Sequence, residues 1–557
     1  MASDSRLRVV AFTSGPLLPV TRVFFERLAR DPLLDVCGII RHERTVREGW
    51  HEEGWRWLLS KFTSGFASLI HKVARFPFEL IHETTASEGS YETLALRTGI
   101  PVYRPRDIRS MQTLALIQSL RPQLGVIVEG CIARGNLISI PEHGTLNIRK
   151  RMIPEYRGSA PTTDPEVPVR HGSILVTIHY ETSPVNPGPV LSEATIPIEA
   201  CDTAESLRIK ADILGARLYH ESIRHVALGN RPGGHQGESP RTTNLSPGDA
   251  SLSQVHKYLK GNAANVTPSP LSPPPWAVSM RLLLQYALVL PLLLYHRSRF
   301  IMSRRAPICI LYYHLVTNRP VNHMCLPLET FAAQMEFLRR YYTLVSLDKA
   351  VERLRSGKND RIAVSITFDD GYRDNAWAIE YLRYFEIPAS FFVSIGHVRD
   401  GSVFDHDRER GYEDAPSLQE TDVRRLASDG FVVGSHALYH EDFGRLASTT
   451  ADYVLRESRR LIEQVSGQVP EHFAFPIGQR TKNITGESLS LAEKYYPYVY
   501  SAYGGYNFPS TERRHFLRVG APTNVLNLAM IMDGYVGFRQ CLAGNAWGLK
   551  TDALLPY

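Results

Sequence analysis

The stretch "SITFDDGYRDN", residues 365–375, sets two carboxylates side by side where a run of branched, apolar residues stops. Such a run, short and bounded by glycine, reads as a buried strand. Asp369 and Asp370 repel each other when both are ionised, so a cation or a proton must share their charge. The pattern recurs downstream. "ASFFVSIG", "FVVGSHALYH" and "HFAFPIG" are each a strand-like run that breaks into a loop. This is βα alternation, and strand ends are where α/β barrels place chemistry. One of these ends carries His436 and His440. Two imidazoles four apart share a face if their loop coils into a helical turn, and one carboxylate then completes a three-ligand set. Three protein ligands leave open positions for water and substrate, the layout of a catalytic metal site. A divalent ion would absorb the charge of one aspartate and leave the other beside it as a base. Taken singly, a His-x-x-x-His spacing or an Asp-Asp helix cap is commonplace.

The rest of the chain bounds this reading. With 557 residues it exceeds one ordinary core, and 43% apolar against 22% charged residues is globular composition. The net charge of +6 is mild for this length. No basic stripe with interleaved aromatics occurs, which argues against nucleic acid as a partner. Cys37, Cys131, Cys201, Cys309, Cys325 and Cys541 are scattered without a Cys-x-x-Cys pair. That argues against both a disulfide scaffold and a structural zinc site, and it fits a reducing compartment. The opening "MASDSRLRVVAFTSGP" has no apolar stretch of signal-peptide length. A cytoplasmic protein is expected.

In the N-terminal half, "LRVVAF", "LLDVCGII" and "LGVIVEG" read as parallel strands, and "TRVFFERLARD" between the first two as a helix. Residues 231–275 are rich in Gly, Pro and Ser and read as a tail and linker between domains over 1–230 and 306–545. Between linker and second domain lies "WAVSMRLLLQYALVLPLLLY", followed by Arg297, Arg299, Arg304 and Arg305. Its length approaches a bilayer span. By the positive-inside rule its basic flank would put the N-terminal domain outside, against the missing signal peptide. A helix buried against the second domain, or lying on the inner leaflet through 276–305, fits better.

In order, "TFDDGY", "PASFFV", "GSHALYH" and "FAFPIG" resemble the polysaccharide deacetylases, over about residues 306–525. The resemblance implies a distorted β/α barrel and metal-dependent removal of an N-acyl group, usually acetyl, from an amino sugar; the expected substrate extends to a glycan precursor on a nucleotide or lipid carrier. It assigns Asp369 as general base, Asp370, His436 and His440 as ligands of zinc or another first-row transition metal, and a backbone N–H at Pro476–Ile477 as oxyanion donor. Two departures stand out. The arginine of many members is Ala474 here, and the late histidine that serves as general acid has no clear counterpart. Arg518 is the candidate to steady Asp369, and His515 or His314 to deliver the proton.

"GTLNIRKRMIPEYRGSAPTTDP" and "VTIHYETSPVNPGPVL", with the helix start "DTAESL", resemble the folate-dependent formyltransferases over about residues 7–230. That chemistry calls for an Asn, a His two residues on, and an Asp after the His-containing strand. The first is Asn147, but the others are Arg149 and Asn186. A guanidinium stays protonated at any working pH and an asparagine cannot ionise. Formyl transfer from folate is therefore not expected, and this half reads as a scaffold or a sugar-nucleotide binder. The fusion itself suggests a deformylase as an alternative, and the missing general acid together with the altered first domain suggests a carbohydrate-binding pseudoenzyme.

Overall fold

The structure is a computed structural model and describes residues 6–42, 90–128 except 106 and 109, 137–153, 172–181, 187–229, and 275–542 except 320, 323, 411, 413, 414, 480 and 481. These divide into two compact units, one up to residue 229 and one from residue 275. The linker expected over 231–275 lies outside the described residues but for Pro275.

The first unit runs β1 (Leu7–Thr13), α1 (Pro19–Arg30), β2 (Leu34–Arg41), α2 (Tyr91–Thr98), β3 (Val102–Tyr103), α3 (Met111–Ser119), β4 (Leu124–Ile127), β5 (Thr145–Ile153), β6 (Ser173–Glu181), β7 (Pro187–Pro197) and α4 (Ala204–Ala227). Its sheet has the order β3-β2-β1-β4-β5-β6-β7. Pairings from β3 to β5 are parallel, and β6 and β7 extend the sheet antiparallel. The expected open parallel sheet therefore carries an antiparallel wing. The difference is written in the burial. Val9, Val10, Ala11 and Phe12 are all buried, as a strand covered on both faces requires, whereas β6 alternates and has one covered face. That cover is α4, which Thr203 and Ser206 start with a reciprocal cap. Tyr219 then fixes it by donating to the carbonyl of Leu146 at 2.7 Å. Gly215 permits the close approach, since a Cβ there would lie 2.8 Å from Ile148.

The second unit opens with α5 (Pro275–Met302) and continues through β8 (Ile308–Tyr313), β9 (Leu315–Val316), β10 (Cys325–Leu326), β11 (Thr343–Leu344), β12 (Ala363–Phe368), β13 (Ala389–Val393), β14 (Val432–Ser435), β15 (His472–Ala474), β16 (Tyr498–Ser501), β17 (His515–Leu517) and β18 (Val519–Gly520), with helices between the larger strands. The main sheet has the order β17-β16-β15-β14-β13-β12-β8-β18, all parallel. Its two edge strands are consecutive in the chain, separated by Arg518 alone. The chain itself thus bridges the two edges and makes a nearly closed β/α barrel. Every residue of β12 is buried. Phe368 stacks on Phe391 and Tyr313 with centroids 5.0 and 5.5 Å away.

Helix α5 packs one stripe, Tyr286 and Leu293 flanked by Val289 and Leu290, against Met530 and Tyr535. Asp533 receives the Tyr286 hydroxyl and, at 3.1 Å, the Arg297 guanidinium. Among the described residues no helix is long and apolar enough to cross a membrane.

Candidate active site

The two aspartates part company at the end of β12. Asp369 continues the strand, its N–H donating to the Tyr313 carbonyl at 2.9 Å. Its side chain therefore shares a face with Thr367. Asp370 turns away with φ of +70°, a left-handed conformation that costs a non-glycine residue free energy, and Gly371 follows at +92°. Its carbonyl accepts from the N–H of Ser394 at 3.1 Å, which locks the turn to the end of β13.

Arg518 meets Asp369 with both terminal nitrogens, Nη1 to Oδ1 at 2.5 Å and Nη2 to Oδ2 at 2.8 Å. The guanidinium lies 5.0 Å from the ring of Tyr312 and 5.1 Å from that of Phe392. Burial would raise the Asp369 carboxyl, but the charge of Arg518, then that of His436, holds it below the usual carboxylate range. Asp370 goes the other way. Burial and the neighbouring charges of Asp369 and Asp407 push its carboxyl well up.

His436 and His440 face Asp370. Their Nε2 atoms lie 3.4 and 3.5 Å from its Oδ1, and the ligand-capable atoms of the three residues all lie within 4.8 Å of one another. Nδ1 of His436 donates to the Ala474 carbonyl at 2.8 Å, which aims Nε2 at Asp370. Burial drives the His436 imidazole down to about 4 and that of His440 well below the usual histidine range, so both present neutral lone pairs. Both oxygens of Asp370 are buried without a hydrogen-bond partner. An orphaned carboxylate facing two neutral imidazoles is a donor set that fits a divalent cation of zinc type.

The loop does not reach this geometry by the helical turn expected. Ala437 and His440 are left-handed, with φ of +67° and +62°. The Glu441 carboxylate accepts from the N–H groups of Leu438 and Tyr439 at 3.1 and 3.0 Å and holds the loop closed. At the neighbouring strand end, Pro476 and Ile477 form the next turn, two residues beyond the carbonyl that orients His436. Ile477 has φ of +60°, a true outlier for a β-branched residue and a mark of strain at this edge.

Of the candidate proton donors, His515 is engaged with the Ser501 hydroxyl at 2.8 Å. His314 is electrostatically felt by Asp369, His436 and His440. Sequence reasoning missed a support wall. Asp407, fully buried, accepts from Tyr372 at 2.7 Å and from Asn322 at 2.8 Å. His406 bonds the same tyrosine hydroxyl at 2.9 Å and places its ring 5.0 Å from that of His440. "FDHDRER" is short and charged and carries no periodic signal that would have marked it.

In the first unit, Asn147 on β5 pairs with His179 on β6. Its amide donates to Glu181 at 2.8 Å, and His179 Nε2 lies 3.4 Å from the same oxygen. Arg149 sits two residues along the same face of β5, with its charge reaching Glu181. Asn186 lies outside the described residues, as does the "PEYRG" turn. His179 and Glu181 were legible as alternate residues of one strand, but only the register brings them to Asn147.

Residues 356–495 match the family model described as polysaccharide deacetylase. Methionyl-tRNA formyltransferase of Bacillus subtilis is 31% identical over 156 residues, 27% of this chain and 47% of that enzyme. The Bacillus velezensis enzyme is 33% identical over 156 residues, 27% of this chain and 47% of its own length. The chain thus spans about half the length of the curated relatives it matches. Among solved structures, IcaB from Ammonifex degensii is similar at 19% identity and a TM-score of 0.35, covering 41% of this chain and 97% of that one. The chain joins a polysaccharide deacetylase domain in its C-terminal half to a formyltransferase-homologous N-terminal half.

Proposed function

We propose that the C-terminal unit is a metal-dependent N-deacylase that removes an acetyl group from an amino sugar or glycan precursor on a nucleotide or lipid carrier. The observation that carries this is the orphaned Asp370 carboxylate between His436 and His440, beside an Asp369 kept ionised by Arg518. Asp370, His436 and His440 would hold zinc or another first-row divalent ion. When bound, the ion supplies a Lewis acid that polarises the acyl carbonyl and lowers the pKa of water. Asp369 accepts the proton of the attacking water. The Ile477 N–H donates to the oxygen on which charge develops, and His314 passes a proton to the leaving amine. The pairing with a formyltransferase-like half favours one second reading, an N-deformylase. In either case the N-terminal half transfers no formyl group, because Arg149 stands where a titrating base is required.

The test is metal analysis of the purified chain followed by acyl release from a panel of amino sugars, each supplied in N-acetyl and N-formyl form. Release of acetate in proportion to bound metal supports the proposal, and release of formate alone selects the second reading. Stoichiometric metal without release from any sugar of the panel would reduce the unit to a carbohydrate binder.

A further inference from the structure

Helix α5 carries two stripes. Tyr286, Leu290, Leu293, Arg297 and Phe300 face the barrel, where Tyr286 and Leu293 are 1% exposed and Phe300 meets Phe508 with centroids 5.0 Å apart. About half a turn of the helix away, Leu288, Leu292, Tyr295, Arg299 and Met302 repeat at the same four-three spacing. Leu288 is 83% exposed, Leu292 45%, Tyr295 63% and Met302 77%. The second stripe is about 20 Å long at 1.5 Å per residue. A single exposed leucine needs no explanation, but an aligned row of large apolar side chains does.

Charge says what covers it. The sequence from Pro275 to Ala306 contains no Asp or Glu and five arginines. Arg297 is spent on Asp533, while Arg299, Arg304 and Arg305 are exposed at the C-terminal end of the helix. An apolar row closed by an uncompensated basic end, with a tyrosine in the row, is the chemistry of a helix lying in the headgroup boundary of an anionic bilayer. A second protein copy would find the same three arginines facing it without a carboxylate from this segment.

We infer that the outer stripe of α5 is a membrane-docking surface that seats the deacetylase barrel on an anionic lipid leaflet. The helix is not a loose anchor, because its inner stripe is part of the barrel's packing. The barrel and helix therefore bind as one body. This inference does not rest on the deacylase reading and stands or falls without it.

The experiment is sedimentation of the full-length chain with vesicles of phosphatidylcholine alone and with one-third phosphatidylglycerol, alongside light scattering of the free protein. Binding is expected on the anionic vesicles and is weakened by salt. Leu288→Glu with Leu292→Glu should abolish it. Replacing Arg299, Arg304 and Arg305 together by Gln should weaken it about 100-fold, at roughly fivefold per arginine. All these positions are exposed, and an unchanged melting temperature verifies each variant. Tyr295→Glu serves as a second apolar variant if the double one is unstable. No binding to anionic vesicles, binding unaffected by the glutamates, or a dimer that the glutamates dissociate would each overturn the inference.

Discussion

Arg518 grips Asp369 with both terminal guanidinium nitrogens from the one residue that separates the barrel's two edge strands, β17 and β18. Barrel closure and the charge state of Asp369 are thus one structural fact. Ala474 at the end of β15 offers no cation, and the guanidinium that meets Asp369 arrives from the seam. Both partners are buried, so the pair is held in a low-dielectric interior where an unpaired charge is costly.

Removing the cation should therefore be worse than removing both charges. Arg518→Met is expected to destabilise the second unit by about 3–5 kcal/mol, the usual penalty for stranding a buried charge. Asp369→Asn in that background should recover part of the loss. Denaturant melts of the two single variants and the double one measure the coupling. Additive losses would mean the pair is only an incidental neighbour contact.

The adjacent aspartates should fail differently. Asp369→Asn keeps its shape but cannot accept a proton, so metal content should hold while turnover falls by about 10²–10⁴. Asp370→Asn removes a charged ligand, so metal content itself should drop and excess metal should restore part of the rate. Metal analysis and acyl release on both variants decide it. Equal metal loss in the two would cancel the division of labour.

Much of this site was readable beforehand because its parts lie at strand ends with strong apolar runs before them. Asp369 and His436 each follow directly on such a run, and Asp370 and His440 lie in the turns just beyond. The order of motifs along the chain follows the order of strands in the barrel, so register in sequence became adjacency in space. Three things were hidden. The loop conformation rests on left-handed Ala437 and His440, and no periodicity encodes a positive φ in a non-glycine residue. The residues that hold Tyr372, Asp407 and His406, come from a charged segment that propensity reads as plain surface. In the first unit, Glu181 gains its partners from the antiparallel register of β5 and β6, which a reading of parallel strands does not supply.

The loop beyond His440 depends on one glycine. A Cβ on Gly444 would sit 2.0 Å from the backbone oxygen of Lys482, and backbone cannot swing aside as a side chain can. Asp442 ties the same segments together, accepting from Gly444 N–H at 3.0 Å and from Asn483 at 2.8 Å. Gly444→Ala should cost about 1–3 kcal/mol, the range for forced overpacking, and lower metal affinity by shifting His440. Calorimetric metal titration together with a thermal melt reports both. A variant with wild-type values would show that the two segments part freely.

The polar cluster of the first unit should show itself in acid. Burial alone would raise the Glu181 carboxyl, but the neighbouring His179, the hydrogen bond from Asn147 and the charge of Arg149 hold it below its ordinary value of 4.5. A carboxyl depressed in the folded state contributes stability that is fully present above its unfolded value. That contribution is lost as pH falls through the lower, folded value. Wild-type protein should therefore shed stability in the first unit as pH drops below about 4.5, on the ordinary carboxylate scale. Glu181→Gln keeps the side chain's size but removes the charge, so at neutral pH it should cost about 1–3 kcal/mol, the worth of a hydrogen bond to a charged group. Below the transition that difference should vanish, and the variant's curve against pH should be flatter. Melting curves of both proteins between neutral pH and acid, followed by hydrogen exchange of β5 and β6 so that the second unit's own titration does not intrude, make the comparison. A constant gap between the two at every pH would place the Glu181 contribution in packing rather than in charge.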